Sequence, residues 1–544
     1  MESYVTLQKP ENEADRIFSY APGTRERGQL LEQLERLTCH TEDIPLIIDG
    51  RPVETGDVFE VRCPHARQRV LARAHLATDK ELIWAINAAQ EAQTAWAALD
   101  GYQRAAIFLR AADLLAGPHR LEHIAAIMVN QSKTPFEAEI DLAELVDFWR
   151  LNAYDLQWLY SQQPDQAPGE LNRFDWRPLE GFVLAISPFN FYSIGGNLAT
   201  APALVGNVVL WKPARSVLLA NYRIMQVLQE AGLPKGVINF VPFASRYSDA
   251  VLGHSALAGL HFTGSYETLV HLWQRIGERL PVYQNFPRIV GETGGKDFIL
   301  VHPSADVEGV AANVIRGAYE YQGQKCSAAS RLYVSASVWE PLKARLQAEL
   351  PQLTRGAVED LSVAMGALIN EEAFHKVVSY IEYARQHPET YEILSGGEYN
   401  QQEGWFVAPT LVLTKDPHGR LMTEEIFGPV LTVYVYPDEA YAKVLRLCDT
   451  STAYGLTGAI FARDRAAIAQ AESTLRYAAG NFYINDKPTG AVVGRQPFGG
   501  ARHSGTNDKA GSWLNVLRWL SPRAMKETLV PARDWRRPYL DQSG

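Results

Sequence analysis

The chain has 544 residues, 47% hydrophobic and 21% charged, the profile of a soluble globular protein and not of a disordered or membrane-embedded one. A chain of this length exceeds what one hydrophobic core usually supports, so two or three domains are predicted. With 52 basic against 62 acidic side chains the formal charge is −10, which argues against nucleic acid as a partner, although one cation or one helix N-terminus suffices for a small anionic ligand.

In chain order, residues 1–43 are polar apart from a helical stretch near Leu30–Leu37, and read as an N-terminal extension. Glu2, Glu11, Glu13 and Asp15, and the lack of an apolar core, speak against a signal or transit peptide. Apolar positions recur at helical spacing over Glu81–Leu99, over Arg104–Ala116 and over Leu121–Leu156, the last broken at Ser132–Pro135. Pro164–Pro178 holds three prolines without helical period and reads as a loop or protruding hairpin. The apolar runs Gly181–Ile186, Asn207–Trp211, Gly236–Val241 and Leu257–Phe262 then alternate with helical stretches such as Ala220–Ala231. A second series follows at Phe298–Val301, Arg331–Val334, Leu411–Leu413, Pro429–Val435, Gly458–Phe461 and Asn481–Ile484. This predicts two α/β domains with parallel sheets, dividing near residue 290, and a site in the cleft between them. No run of 18 apolar residues predicts a membrane span. The cysteines, Cys39, Cys63, Cys326 and Cys448, are far apart and form no CxxC pair, so neither a zinc site nor a disulfide framework is expected and a reducing compartment is the simpler reading.

Four short blocks carry candidate chemistry or binding. In Gln324-Lys325-Cys326-Ser327-Ala328-Ala329-Ser330 the cysteine lies among small and polar residues, at what reads as a helix start, where the dipole and Lys325 would favour the thiolate. Glu292-Thr293-Gly294-Gly295-Lys296 begins 34 residues upstream and places a carboxylate before a Gly-Gly turn, where it can serve as a base for water. In Ile186-Ser187-Pro188-Phe189-Asn190-Phe191 the proline ends a strand and Asn190 can aim amide donors at a tetrahedral oxyanion. Leu210-Trp211-Lys212-Pro213 ends a strand in a cation, where open α/β sheets bind ligands. Taken singly, each has a plainer reading: a buried structural cysteine, a solvated glutamate, a turn asparagine.

Together, in this order and spacing, these blocks resemble the aldehyde dehydrogenase superfamily, with Phe262-Thr263-Gly264-Ser265 and Glu425-Ile426-Phe427-Gly428-Pro429 matching two further family motifs. The resemblance covers roughly residues 45–530. It implies an α/β fold with a Rossmann-like NAD(P)-binding domain (44–163 and 179–290) without the usual GxGxxG fingerprint, a catalytic domain (291–510) and β-flap oligomerisation elements (164–178 and 519–544). It further implies Cys326 as nucleophile, Glu292 as general base, and Asn190 with the Cys326 N–H as oxyanion hole. NAD, with NADP also open, would be bound at Ser187, Pro188, Phe189 and Phe262. Lys212 would hold the adenosine ribose, Gly264 and Ser265 the pyrophosphate, and Glu425 and Phe427 the nicotinamide ribose. No metal is implied. The expected partners are a small-molecule substrate and a second copy, as a dimer or a dimer-based assembly, in the cytoplasm, or in the mitochondrial matrix of a eukaryote.

Gly181–Pro213, Pro287–Lys296, Glu320–Leu332 and Gly480–Gly511, with Gly505-Thr506-Asn507-Asp508-Lys509, are similar to the branch of the family that oxidises L-glutamate γ-semialdehyde. That likeness assigns the α-carboxylate to Ser327 and the Gly490-Ala491 backbone, and the aliphatic part to Phe191 and Phe498. It also pairs Glu144 with Lys325 at the site. The alternatives are another carboxylated aldehyde such as succinate semialdehyde, or a catalytically silent NAD-binding protein. Two departures stand out. Arg215 occupies a place where the family often has an acid, and the 241–249 loop lacks the glycines common there.

Overall fold

The structure is a computed structural model describing residues 8–540. The first seven residues of the predicted extension and the last four of the predicted C-terminal segment lie outside the described residues. Two seven-stranded sheets organise the chain.

The first sheet runs, in spatial order, Arg288–Glu292, Leu257–Thr263, Phe182–Ile186, Val208–Lys212, Ile238–Phe240, Leu46–Ile48 and Arg51–Val53. The first five strands pair in parallel, and the last two are added through antiparallel pairings. Parallel strands need crossovers, and the helices Tyr192–Leu204, Leu218–Glu230 and Tyr266–Glu278 serve here. Buried on both faces, Phe182–Ile186, Val208–Lys212 and Leu257–Thr263 are apolar almost throughout and become partly accessible only at their last residue. Register brings those ends level: Ile186 pairs with Lys212 and with Phe262, and Thr263 with Glu292. One sheet edge therefore collects residues far apart in sequence.

The second sheet has the order Tyr391–Ser395, Thr410–Thr414, Val430–Tyr436, Ala329–Ser335, Asp297–Val301, Thr457–Phe461 and Asn481–Ile484, with only the first strand antiparallel. The passage between sheets is Thr293–Lys296, so Glu292 is the last residue of the first sheet.

The interruption at Ser132–Pro135 separates the helices Arg120–Gln131 and Pro135–Ser161. Ser132 is left-handed, with φ of 56°, and Thr134 with Glu137 forms a capping box before Pro135. The extension is docked: Leu30, Leu34 and Leu37 of the helix Arg25–Thr38 are buried, and Glu13 pairs with Arg120 and Arg150. Residues 170–178 form no hairpin of their own. The strand Glu170–Pro178 pairs antiparallel with Leu520–Thr528, which makes a two-stranded ribbon from opposite ends of the sequence.

Candidate active site

The level edge of the first sheet carries the expected cofactor residues. Lys212 is largely buried and packs over the Phe243 ring at 5.2 Å; burial lowers its pKa to about 8, with Arg215 adding to the effect. Ser187 is fixed by the Lys212 carbonyl, which accepts its N–H, and by the Trp211 indole, which donates to its hydroxyl. Pro188 ends the strand, the Phe189 carbonyl accepts from Gln131, and the Phe189 ring meets Phe427 edge-on at 5.8 Å. Phe262 is buried, and Gly264 donates its N–H to the Glu292 carbonyl. Ser265 is the exposed N-cap of Tyr266–Glu278, its hydroxyl accepting from the Thr268 N–H, so that the free N–H groups of this helix face the same edge. In the 241–249 loop a short helical turn at Ser245–Tyr247 stands where family glycines were absent.

Glu425 lies across the passage between the sheets and accepts a hydrogen bond from the Gly295 N–H at 2.9 Å. The two glycines there serve close approach and not a left-handed turn. A Cβ at Gly294 would lie 2.1 Å from the Glu425 carboxylate, and one at Gly295 would lie 2.5 Å from the Cys326 carbonyl oxygen. Only glycine lets this segment thread between Glu425 and the cysteine loop.

Cys326 does not begin a helix. Ala328 and Ala329 lead into the strand Ala329–Ser335, which the second sheet claims on both sides, so no helix dipole acts on the thiol. Its pKa is pushed well above the ordinary thiol value, first by burial and then by Asp297, Glu425 and Glu292. Nor does Lys325 offset this, because its ammonium pairs with Glu320 at 3.0 Å. The loop before the cysteine is held in an unfavourable shape. Tyr321, Gln322 and Gly323 are consecutively left-handed, with φ of 51°, 56° and 66°, and each of the two non-glycine residues costs about 1–2 kcal/mol. Gln322 Nε2 donates to the carbonyls of Ser132 and Ala367, Glu137 accepts from the Tyr321 N–H, and Gln324 Oε1 accepts from Ile369. Asn190, buried, donates from Nδ2 to the Gln324 carbonyl at 3.1 Å, which ties the first sheet's edge to this loop.

Glu292 is partly buried, at the end of its strand. Its Oε2 accepts from the Gly500 N–H at 3.0 Å, and burial raises its pKa to about 8. Both Glu292 and Cys326 line a cavity of about 220 Å³ between the sheets, together with Ser327, Gly490, Ala491, Phe191, Phe498, Glu144 and Lys325. The Ser327 and Thr489 hydroxyls are 2.8 Å apart, and Gly490 is left-handed, with φ of 86°. A larger groove of about 1280 Å³, between the ribbon and the Tyr266–Glu278 helix, holds none of the motif residues.

The expected Glu144–Lys325 pair is absent. Glu144 accepts from the Ser193 hydroxyl at 2.6 Å, and burial raises its pKa to about 7. Glu320, on the strained turn, takes Lys325 instead; five residues of turn bring them together, whereas Glu144 projects from another helix toward Ser193. The motif reading also missed Thr489, Gly500, Lys133 and Asp141. A Pro-Phe-Gly-Gly run at 497–500 was the available signal for Gly500; nothing local marks the others.

The Aldehyde dehydrogenase family profile matches residues 52–519. The chain is 48% identical over 527 residues to a Bos taurus protein named "Delta-1-pyrroline-5-carboxylate dehydrogenase, mitochondrial", covering 96% of this chain and 93% of that one. It is 45% identical over 538 residues to a "Delta-1-pyrroline-5-carboxylate dehydrogenase" of Agaricus bisporus, covering 98% of each. Among solved structures, the Delta-pyrroline-5-carboxylate dehydrogenase of Mycobacterium tuberculosis bound with NAD superposes with a TM-score of 0.95 at 50% identity, covering 99% of both chains.

Proposed function

The chain belongs to the aldehyde dehydrogenase family, and from that premise we propose that it oxidises L-glutamate γ-semialdehyde, the open form of 1-pyrroline-5-carboxylate, to L-glutamate with NAD, a step of proline degradation. The observation that carries this reading is that a thiol, a carboxylate and a hydroxyl–glycine anchor line one small cavity. A catalytically silent protein would not need Cys326 and Glu292.

The sheet edge fits a dinucleotide. Among the described residues no carboxylate pairs with the Lys212 ammonium, which suits a ribose hydroxyl, and the capped helix at Ser265 suits a pyrophosphate. Glu425 is aimed past Gly294 and suits a second ribose. When bound, NAD supplies the acceptor for a hydride. Cys326 Sγ, once deprotonated, adds to the aldehyde carbon. The Asn190 amide and the Cys326 N–H receive the oxyanion, an arrangement in which one donor is typically worth about 3–4 kcal/mol of barrier. After the carbon has lost its hydride, the thioester is opened by water, whose proton Glu292 takes. Ser327, the Gly490 and Ala491 N–H groups, Phe191 and Phe498 hold the far end of the substrate. We further assign 44–163 with 179–290 to cofactor binding and 291–510 to catalysis, Glu292 itself ending the first sheet.

The exposed ribbon of Glu170–Pro178 and Leu520–Thr528, with Leu529, Val530 and Trp535 exposed beyond it, supports a dimer or dimer-based assembly in which the ribbon extends a partner's sheet. Light scattering at micromolar concentration tests this, and a monomer contradicts it. No helix of the described residues is long and apolar enough to cross a membrane, and we place the enzyme in the cytoplasm, or in the matrix of a eukaryote. The test of function is kcat/KM with NAD for glutamate γ-semialdehyde, succinate semialdehyde and propanal. The zwitterion should lead. Equal values for propanal would leave only the broader aldehyde dehydrogenase activity.

A further inference from the structure

We infer that the buried Lys133–Asp141 ion pair is a positioning element for the reaction, holding Asn190 and Phe191 in register with the backbone that carries Cys326. Both side chains are 1% exposed, and they meet at 2.5 Å just behind the wall of the substrate cavity, which Lys133 lines. The pair has three attachments beyond itself. Asp141 accepts from the Tyr192 N–H at 2.8 Å and the Ser193 N–H at 3.0 Å, the first turn of the helix that begins directly after Asn190-Phe191. The Lys133 ammonium stands 4.6 Å from the centre of the Phe191 ring, on the edge of the first sheet. It also stands 4.4 Å from the centre of the Tyr321 ring, the first of the left-handed residues leading to Cys326. A single cation thus lies between the two halves of the site, with a face of each against it.

Stability alone does not account for such a pair. Two well-packed apolar side chains of this volume are often as stable as a buried ion pair, because desolvation offsets the attraction. What the pair adds is fixed geometry: an ammonium with one hydrogen-bond partner and two ring faces, and a carboxylate that aligns two N–H groups, define where the Asn190 amide lies. The oxyanion is sensitive to that placement, since an offset of about 1 Å can cost about 100-fold in rate.

The inference rests on the proposed role of Asn190, so both are measured in one cycle: the parent, Asn190→Ala, Lys133→Met and the double variant, with kcat for glutamate γ-semialdehyde and NAD affinity by fluorescence quenching. Asn190→Ala is expected to lower kcat by about 100- to 1000-fold. Lys133→Met is expected to lower it by about 100-fold. With Asn190 already removed, Lys133→Met should cost less than about threefold more, because no donor is left to misplace. NAD affinity should be unchanged throughout, since the Lys212–Ser265 edge is untouched. A full additional loss in the Asn190→Ala background would overturn the inference and leave Lys133 a merely structural residue. An Asn190→Ala variant with parental kcat would overturn the oxyanion assignment first and this inference with it. Should Lys133→Met not fold, Lys133→Met with Asp141→Asn removes both charges and enters the same cycle.

Discussion

The two ends of the substrate cavity are built on different plans. The reacting end gathers Asn190, Glu292 and Cys326 from three separate chain segments and fixes them through backbone contacts of long range: Gly500 N–H on Glu292, the Gln324 carbonyl on Asn190, Gly295 against Cys326. The anchoring end is mostly one local stretch, Thr489-Gly490-Ala491, with a single distant hydroxyl from Ser327. Burial at the reacting end raises the pKa of both the thiol and Glu292, whereas the anchoring end offers neutral hydroxyl and backbone donors. A fault at the reacting end should therefore lower every rate, and a fault at the anchoring end should change only the choice of aldehyde.

The largest effects should come from the reacting end. Cys326→Ser should abolish NADH formation while NAD still binds, and steady turnover by this variant would remove the thioester from the mechanism. Glu292→Gln should give a stoichiometric burst of NADH and then stall at the thioester; a variant that cycles freely would show that water is activated elsewhere. Glu292 must be ionised to take a proton from water. Its raised value of about 8 means that the carboxyl is mostly protonated at pH 7, so deacylation should rise with pH up to about 8 and level off above it. A flat profile between pH 6.5 and 9 would contradict this assignment.

An effect of middle size should separate the two ends. Ser327→Ala removes one hydroxyl that we assign to the substrate carboxylate, and charge-assisted hydrogen bonds are worth about 1.5–3 kcal/mol, or roughly tenfold to a hundredfold. The loss should appear in kcat/KM for glutamate γ-semialdehyde and be far smaller for propanal, which has no carboxylate. An equal loss for both would mean that Ser327 serves the neighbouring Cys326 and not the anchor.

How far the sequence told this apart follows the same division. Strands buried on both faces are legible because they are apolar runs ending in a polar residue, as Val208–Lys212 does. The strand Arg288–Glu292 escaped because it has a charge at each end and a glycine inside five residues. Small residues after Cys326 suggested a helix, but their fate was set by strands on either side of Ala329–Ser335, which no local pattern reports. Gly323 alone hints at a turn, and nothing in Tyr321 or Gln322 announces that they too are left-handed. For the same reason Lys325 found Glu320 and not Glu144: the strained turn, only weakly marked in sequence, decides which carboxylate is near.

The smallest expected effect lies outside the cavity, at the adenosine end of the cofactor edge. Arg215 is exposed, its guanidinium 5.1 Å from the Phe59 ring, and it stands close enough to Lys212 to help lower the lysine's pKa. Two neighbouring cations favour a phosphate on the ribose 2′ position, where an acid would repel it. The gain is modest because the guanidinium remains in solvent, where a charge pair is worth up to about 1 kcal/mol. Arg215→Glu should therefore weaken NADP by about tenfold, as an attraction becomes a repulsion. NAD, without the phosphate, should change much less, and the NADP effect should shrink as salt is raised because the charge is exposed. NADP turnover that is undetectable in the parent, or unchanged in Arg215→Glu, would show that the ribose is read by Lys212 alone. Either result also bears on the comparison of the two cavity ends, since rates at the reacting end should be the same once either cofactor is saturating.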